Sequence, residues 1–226
     1  DGKGYIVRTG DRFEGSKGTG LENLCVASCS PSIFTEKYIN KTNENVLKML
    51  KGIGIKNAPI FFQGFIDGDI FRFYDPGLRF AGGEYERILK CITGEDIILY
   101  LVKYAISGIS IKPEFGEDIW GLRGKRITQL DPILKPGKIK KINGVEDIRK
   151  MNSVVAISQR VFEGDTIKKS NDLGQRFGEF CIISDDIDDE IANIKKIQTY
   201  LSVTDEYGIE MIFDEFDTDK LNKEVL

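Results

Sequence analysis

Two runs rich in aromatic and β-branched residues flank a glycine turn, and this stretch constrains the fold more than any other. The runs cover residues 60–66 and 70–74, and Asp67-Gly68 between them suits the positive φ of a tight turn. The sequence therefore predicts a β-hairpin. Because side chains alternate along a strand, Gln63 lies on one face with Asp67, and we expect Asp75 to lie opposite Gln63.

The residues around this hairpin follow a recognisable spacing. Gln63 is followed, after eleven residues, by Asp75-Pro-Gly-Leu-Arg79, and Gly82 and Gly83 come soon after. This pattern resembles the ATP-grasp superfamily of carboxylate–amine and carboxylate–thiol ligases, whose C-terminal core carries Glu, eleven residues, Glu-x-Asn-x-Arg and a nearby Gly-Gly. Residues 73–80 look most like uncharacterised bacterial members that resemble the carbamoyl-phosphate synthase large chain.

The resemblance implies a function and a set of site residues. It implies ATP and Mg²⁺ as cofactors and small-molecule carboxylate and amine substrates. Asp75 and Gln63 would hold Mg²⁺ ions that bridge ATP phosphates, and Arg79 would be catalytic because it stabilises the acyl-phosphate intermediate. Gly82 and Gly83 would lie at the substrate.

Three positions depart from the family pattern. Mg²⁺ prefers hard, anionic oxygens in a nearly octahedral arrangement, whereas Gln63 offers only a neutral amide oxygen. Gly77, at the position of the family's Asn, offers no side chain, and Asp75 has a shorter reach than Glu. We therefore expect metal binding to be weaker, or to use water and backbone oxygens.

Residues 10–20 form a glycine-rich segment that carries Arg12 and Lys17. Such a segment can bring backbone N–H groups to a phosphate, so both cations are candidate cofactor-binding residues. It lacks the Gly-Lys-Ser/Thr ending of a P-loop, and a mobile surface loop remains the alternative. Only 47 residues separate Gly15 from Gln63, too few for the family's adenine-binding hinge. We therefore expect the chain to begin after the phosphate loop, with the N-terminal half of the domain as a missing partner.

Composition excludes several other classes of function. The net charge of −4 and pI near 5.2 argue against a nucleic-acid surface. No apolar run approaches the roughly 18 residues of a membrane span, and no leader is recognisable, so we expect a cytoplasmic protein. The chain has no His and its four Cys lack paired C-x-x-C spacing, which excludes Cys/His zinc sites and Ser-His-Asp machinery. A homodimer remains open.

The periodicity of the remaining chain predicts an α+β fold. Helices are expected within 32–50, at 84–91, 96–106, 144–151 and 187–200, and strands at 4–9, 124–134, 153–161, 166–168, 177–184 and 209–213. The acidic run 185–190 lacks the order of an EF-hand loop and suits the first turn of the last helix. By resemblance, residues 1–108 are the C-terminal part of an ATP-grasp core, with antiparallel sheet and packed helices. Residues 109–213 are its small C-terminal α+β subdomain, and 214–226 a frayed tail.

Three functions follow as hypotheses. The chain is part of a ligase whose N-terminal half supplies the adenine site, or a degenerate ATP-grasp domain that binds nucleotide or a partner without catalysis, or a structural domain. The neutral side chain of Gln63 and the absence of a side chain at Gly77 favour the degenerate domain. The complete spacing from Gln63 to Gly83 favours the first.

Overall fold

The structure is a computed structural model that describes residues 3–15, 20, 24–114, 116 and 119–222. The chain divides into two units, which are described separately. The first unit comprises Asp1–Thr9 and Pro31–Arg123, and the second comprises Gly10–Ser30 and Gly124–Leu226. The second unit is thus built from two segments that are far apart in sequence.

The strands, in chain order, are β1 Asp11–Glu14, β2 Cys25–Ser30, β3 Phe61–Asp67, β4 Ile70–Gly77, β5 Arg126–Leu130, β6 Gly137–Asn143, β7 Val154–Gln159, β8 Thr166–Ile167, β9 Gly178–Ser184 and β10 Ser202–Asp205. The helices are α1 Thr35–Tyr38, α2 Glu44–Gly52, α3 Tyr85–Thr93, α4 Ile97–Ser107, α5 Val145–Arg149 and α6 Ile187–Tyr200. A π-helical turn, Ile39–Asn43, joins α1 to α2 without a break. In the described ranges, no helix is long and apolar enough to cross a membrane.

The second unit is built on an antiparallel sheet of five strands in the order β1-β2-β5-β9-β7. A second sheet has the order β10-β6-β8. The interior strand β9 is buried along almost its whole length, as its apolar sequence requires. Antiparallel sheets combined with helices confirm the predicted α+β class.

Helix α6 covers the core of this unit. Ile194 and Ile197 on α6 are fully buried, and the rings of Phe177 and Phe180 stack at 5.7 Å in the same core. The carboxylate of Asp186 caps the helix by accepting a hydrogen bond from the backbone N–H of Asp189 at 2.9 Å. The acidic run therefore begins a helix, as the sequence predicted.

The structure corrects several sequence predictions. Residues 4–9 are not a strand, and strand β1 instead lies inside the glycine-rich segment. Residues 209–213 form only isolated bridges and not a strand. Strands β2 and β6 were not predicted, although β2 pairs with β1 and β5, and β6 pairs with β8 and β10. The C-terminal segment is not frayed up to residue 222, because Phe216 and Leu221 are buried in the core of the second unit.

The first unit contains the hairpin β3–β4 and the helices α1 to α4. Helix α3 ends at Gly94, whose φ is +82°, and α4 ends at Gly108, whose φ is +70°, and both angles lie in the region that favours glycine. Asp96 begins α4 because its carboxylate accepts a hydrogen bond from the backbone N–H of Leu99 at 2.9 Å. No helix begins at Thr42 or Asn43, because both residues lie within the continuous helical segment.

Candidate active-site hairpin

The hairpin predicted from the sequence is present, with its turn one residue later than predicted. Strand β3 pairs antiparallel with β4, from Phe61 opposite Gly77 to Asp67 opposite Ile70. Gly68 and its successor form the two-residue loop, in which only the glycine has a positive φ, +59°. Glycine at the first loop position with a positive φ is the pattern of a type II′ turn, which matches the strand twist.

The register brings the two predicted oxygen donors together. Gln63 lies directly opposite Asp75, as predicted. A bulge then makes Tyr74 an extra residue, so that Phe73 lies opposite Gly64. Directly opposed residues share a face, with Cβ atoms about 5 Å apart. Both donors are half-buried and therefore remain accessible from solvent.

The other face of the hairpin is held on the helical segment. The edge of the Tyr38 ring meets Phe71 at 5.5 Å between centroids. At the turn, Asp69 pairs with Lys37 at 3.3 Å and with Lys41 at 3.5 Å. The hydrogen bond from Lys37, followed by the charge of Lys41, holds the pKa of Asp69 below its usual range. The helix thus fixes one face, and the face with Gln63 lies on the opposite side.

The amide of Gln63 has a weak partner. Its Oε1 accepts a hydrogen bond from the Tyr74 hydroxyl at 3.4 Å, which is long for a bond between oxygens. The Tyr74 ring stacks on Phe65 at 4.8 Å. The Gln63 oxygen is therefore oriented by a neighbour and could exchange that bond for a ligand.

Arg79 and Gly77 meet the same aromatic ring. The guanidinium carbon of Arg79 lies 4.3 Å from the centroid of Phe61, and its Nη1 donates to the backbone oxygen of Phe80 at 2.9 Å. A Cβ added at Gly77 would lie 2.6 Å from Phe61 Cδ1 and closer still to Cε1. The Phe61 ring therefore fills the space that a side chain at position 77 would need.

The remaining predicted site residues lie elsewhere. Gly82 and Gly83 lead into α3, and the φ of Gly83, +91°, is in the region that favours glycine. Arg12 belongs to the second unit, on strand β1 opposite Ser28, and is not in a loop. Lys17 lies outside the described residues.

The donor set determines which metal could bind. Across the described part of the chain, no group of three or more His, Cys, Asp or Glu side chains is placed to hold a metal ion. Directly opposite each other, the hairpin offers one carboxylate, from Asp75, and one amide oxygen, from Gln63. Asp67 lies on the same face nearer the turn, where it pairs with Arg72 at 3.3 Å. Mg²⁺ commonly keeps several waters and takes one or two carboxylates together with substrate phosphates. These residues therefore fit an ion that arrives with a nucleotide, and they do not fit a site of two ions held by protein ligands.

Comparison with known proteins adds the identity of the fold. No family model and no curated protein matches the sequence, whereas solved structures do. An L-amino acid ligase from Bacillus licheniformis matches with a TM-score of 0.72 and 16% identity, over 91% of this chain and 51% of that chain. A phosphoribosylglycinamide synthetase from Anaerococcus prevotii matches with a TM-score of 0.69 and 17% identity, over 89% and 50%. The fold is the ATP-grasp fold.

A further ATP-grasp structure supports this assignment. Biotin carboxylase from Campylobacter jejuni, in a complex with beta-gamma-ATP, matches with a TM-score of 0.60 and 18% identity, over 84% of this chain and 40% of that chain. The chain thus spans about half the length of the ligase and the synthetase that it matches. The predicted resemblance to the ATP-grasp superfamily is confirmed in the fold.

Sequence reasoning missed one residue of the site, Phe61. The register that sets Gln63 opposite Asp75 also sets Phe61 opposite Gly77, because the two pairs are two residues apart on both strands. Aromatic side chains often cover a glycine across a strand pair. That signal was present in the sequence once the register was known.

Proposed function

We propose that this chain is the C-terminal part of an ATP-dependent ligase that joins a carboxylate to an amine or a related nucleophile through an acyl phosphate. The observation that carries the proposal is the placement of Gln63 opposite Asp75, with Arg79 two residues beyond the strand, within an ATP-grasp fold. In this proposal, residues 1–108 belong to the ligase core and 109–213 form its small subdomain. The missing N-terminal half supplies the adenine site.

The reaction has two group transfers. A carboxylate oxygen of the substrate attacks the γ-phosphorus of ATP, and the bond to the bridging oxygen breaks, which releases ADP. The amine nitrogen then attacks the acyl carbon, inorganic phosphate leaves with the electron pair, and the amine loses a proton to solvent. Catalysis of such steps depends on positioning and on neutralising charge.

The residues of the hairpin have separate roles in this scheme. Arg79 lies at the transferring phosphoryl group and stabilises the negative charge that develops on its oxygens. Asp75 and Gln63 would hold a Mg²⁺ ion, which would neutralise phosphate charge when bound. Gly82 and Gly83 allow substrate to approach the backbone before α3. Arg12 and Lys17 are further candidates for phosphate contacts.

Exposed apolar side chains support the idea of a longer protein. In the first unit, helix α4 has no buried residue, and Ile106 on it is 82% exposed. Met49 and Ile53, at the end of the α2 segment, are also exposed. On α4 the exposed Ile98, Val102 and Ile106 stand four residues apart and so share one face of the helix, and an apolar face of this kind commonly marks an interaction site. We propose that the N-terminal half of the ligase covers it.

The test uses the full-length product of the gene. ADP release is measured with a panel of carboxylates and amines, and the same assay is repeated with Arg79→Ala and Arg79→Lys. We expect a substrate-dependent rate that Arg79→Ala reduces by about 10²-fold or more, because a positioned cation contributes that much to a transition state. Circular dichroism should show unchanged folding. Unchanged kinetics in Arg79→Ala would remove this mechanism.

A degenerate ATP-grasp domain is the second candidate, favoured by the Phe61 ring at Gly77 and by the single carboxylate. Such a domain binds nucleotide or a partner and does not turn over. Retained ATP binding by the full-length product, with no ADP release on any substrate, would support this candidate. Absence of both would leave a structural role.

A further inference from the structure

We propose that Phe61 is a positioning residue that closes the third ligand position of the hairpin and holds the guanidinium of Arg79. The site then takes at most one divalent cation, with Asp75 as its only anionic protein ligand. This inference rests on the proposed function only in taking the hairpin as the phosphate site. It concerns the residues Phe61, Gly77 and Arg79 themselves.

First, four residues around the proposed site share one face of the hairpin. Phe61 is two residues before Gln63 on β3, and Gly77 is two residues after Asp75 on β4. All four residues therefore lie on the same face of the hairpin, since side chains alternate. The position opposite Phe61 is the next place along this face from which a side chain on β4 could reach an ion beside Asp75.

The second step is steric. A Cβ at position 77 would come within 2.6 Å of Phe61 Cδ1, a separation that real Cβ atoms essentially never show. The same Cβ would lie 3.4 Å from Arg79 Cγ, which is ordinary contact. Among the three atoms nearest to that Cβ, those of the Phe61 ring are the ones that come too close. An Asn at position 77 therefore requires the ring to move aside or a smaller residue at position 61.

The third step concerns the cation. The Arg79 guanidinium lies over the same ring, at 4.3 Å from its centroid, and the residue is exposed. Stacking on an aromatic face restricts a long side chain that would otherwise sample many rotamers. Phe61 thus holds the charge of Arg79 at its own ring, on the hairpin face that also carries Asp75. The Phe61 ring thus occupies the space that an amide side chain at position 77 would need, and it also holds the guanidinium of Arg79.

The metal part is tested on the 226-residue chain with Mn²⁺ as a probe for the divalent site. Binding is measured by electron paramagnetic resonance and calorimetry in the wild type, in Phe61→Ala/Gly77→Asn and in the matched control Phe61→Ala/Gly77→Ala. The control opens the same space without adding an oxygen. We expect weak binding with no more than one ion in the wild type and the control, and about tenfold tighter binding in the variant with Asn.

The position of the Arg79 side chain over the Phe61 ring is tested by NMR. In the wild type, the ring current of Phe61 should shift the Cδ protons of Arg79 upfield. Phe61→Leu should abolish this shift and Phe61→Tyr should preserve it, while amide spectra of the second unit remain unchanged. A change in overall stability alone would not move these protons selectively.

Three results would overturn the proposal. The first is binding of two Mn²⁺ ions per wild-type chain. The second is equal affinity for Mn²⁺ in the Asn variant and its Ala control. The third is an unchanged chemical shift of the Arg79 Cδ protons in Phe61→Leu. The wild-type measurements decide the question even if the double variants do not fold. Because no step depends on turnover, failure here leaves the ligase assignment standing, and an inactive full-length product leaves this inference standing.

Discussion

Asp131 in the second unit gives the sharpest physical prediction. This carboxyl group is only 5% exposed and lies just after β5, where Arg176 Nη2 approaches it at 3.3 Å. Asp131 Oδ1 and Arg176 Nε are buried without a hydrogen-bond partner in the described structure. Burial raises the pKa of Asp131 from 3.8 to about 7, and the charge of Arg176 offsets only part of that effect.

The sign of the resulting pH dependence follows from proton binding. Between about pH 4 and pH 7, the native state holds a proton on Asp131 that the unfolded chain has released. The free energy of unfolding therefore falls as pH rises through this range. A pKa difference from 3.8 to about 7 corresponds to at most about 4 kcal/mol at pH 8.

Replacing Asp131 by Asn removes this titration and keeps the shape of the side chain. We expect the variant to exceed the wild type in stability by about 2 kcal/mol near pH 5, rising to at most about 4 kcal/mol near pH 8. Arg176 keeps other contacts, with the backbone oxygen of Cys25 at 3.1 Å and with Glu179 at 3.9 Å. The attraction between the Asp131 carboxylate and Arg176 is already contained in the pKa of about 7, so it does not change the expected slope.

The assay is urea unfolding followed by circular dichroism at several values between about pH 5 and pH 8. Titrations of other groups are common to both proteins and cancel in the difference between variant and wild type. Asp188→Asn, the same change at an exposed position, serves as the control and should give a difference that is flat with pH. If the Asp131→Asn difference is equally flat, the buried carboxyl is ionised throughout and our reasoning is wrong.

Three further outcomes are expected. Gly77→Ala should lower the free energy of unfolding by about 1–3 kcal/mol, because its Cβ would overlap the Phe61 ring. In Gly82→Ala the added Cβ would meet nothing within 4 Å, so the free energy of unfolding should hardly change. Both variants are compared with the wild type in thermal melts. Asp96→Ala should lower the free energy of unfolding by about 1 kcal/mol, because it removes the carboxylate that caps the Leu99 N–H, and Asp96→Asn should keep most of that stability. Equal melting temperatures for the two variants would contradict this. Finally, calorimetry should detect no tight ATP binding by the 226-residue chain, and submicromolar affinity would show that these residues hold the adenine site.

The sequence predicted the elements whose signals are local. The hairpin has alternating strands and a glycine turn, and helices α3 and α4 have glycine stops and an Asp cap, all within a few residues of the structure they determine. The period of two fixes which side chains share a face, since a slip by one residue would reverse every side chain. It does not by itself set Gln63 opposite Asp75. The register that continues from the turn would pair Gln63 with Tyr74, and the bulge at Tyr74 moves the partner to Asp75.

The missed elements depend on distant partners. Strand β1 is polar, Asp-Arg-Phe-Glu, and exists because it pairs with β2, whose other neighbour β5 lies about a hundred residues further along the chain. Strand β6 has a single buried side chain, Ile139, so its alternation carries little apolar signal. Phe216 lies in an acidic segment, and only the fold of the second unit shows that it is buried. Pairings at long range override local propensity.

Relative energies indicate which departures from the family pattern matter for catalysis. An exposed contact between a guanidinium and an aromatic ring contributes about 0.5–1 kcal/mol, whereas a hydrogen bond to a charged group contributes about 1.5–3 kcal/mol. A phosphate can therefore draw Arg79 from the Phe61 ring, and the stacking observed at 4.3 Å is compatible with a catalytic role. The long bond from Tyr74 to Gln63 yields to a ligand for the same reason. A side chain at position 77, by contrast, would require the Phe61 ring to move, at a cost that we expect to be about 1–3 kcal/mol. A third protein ligand at this position is therefore opposed by a larger energy than either of the other two contacts.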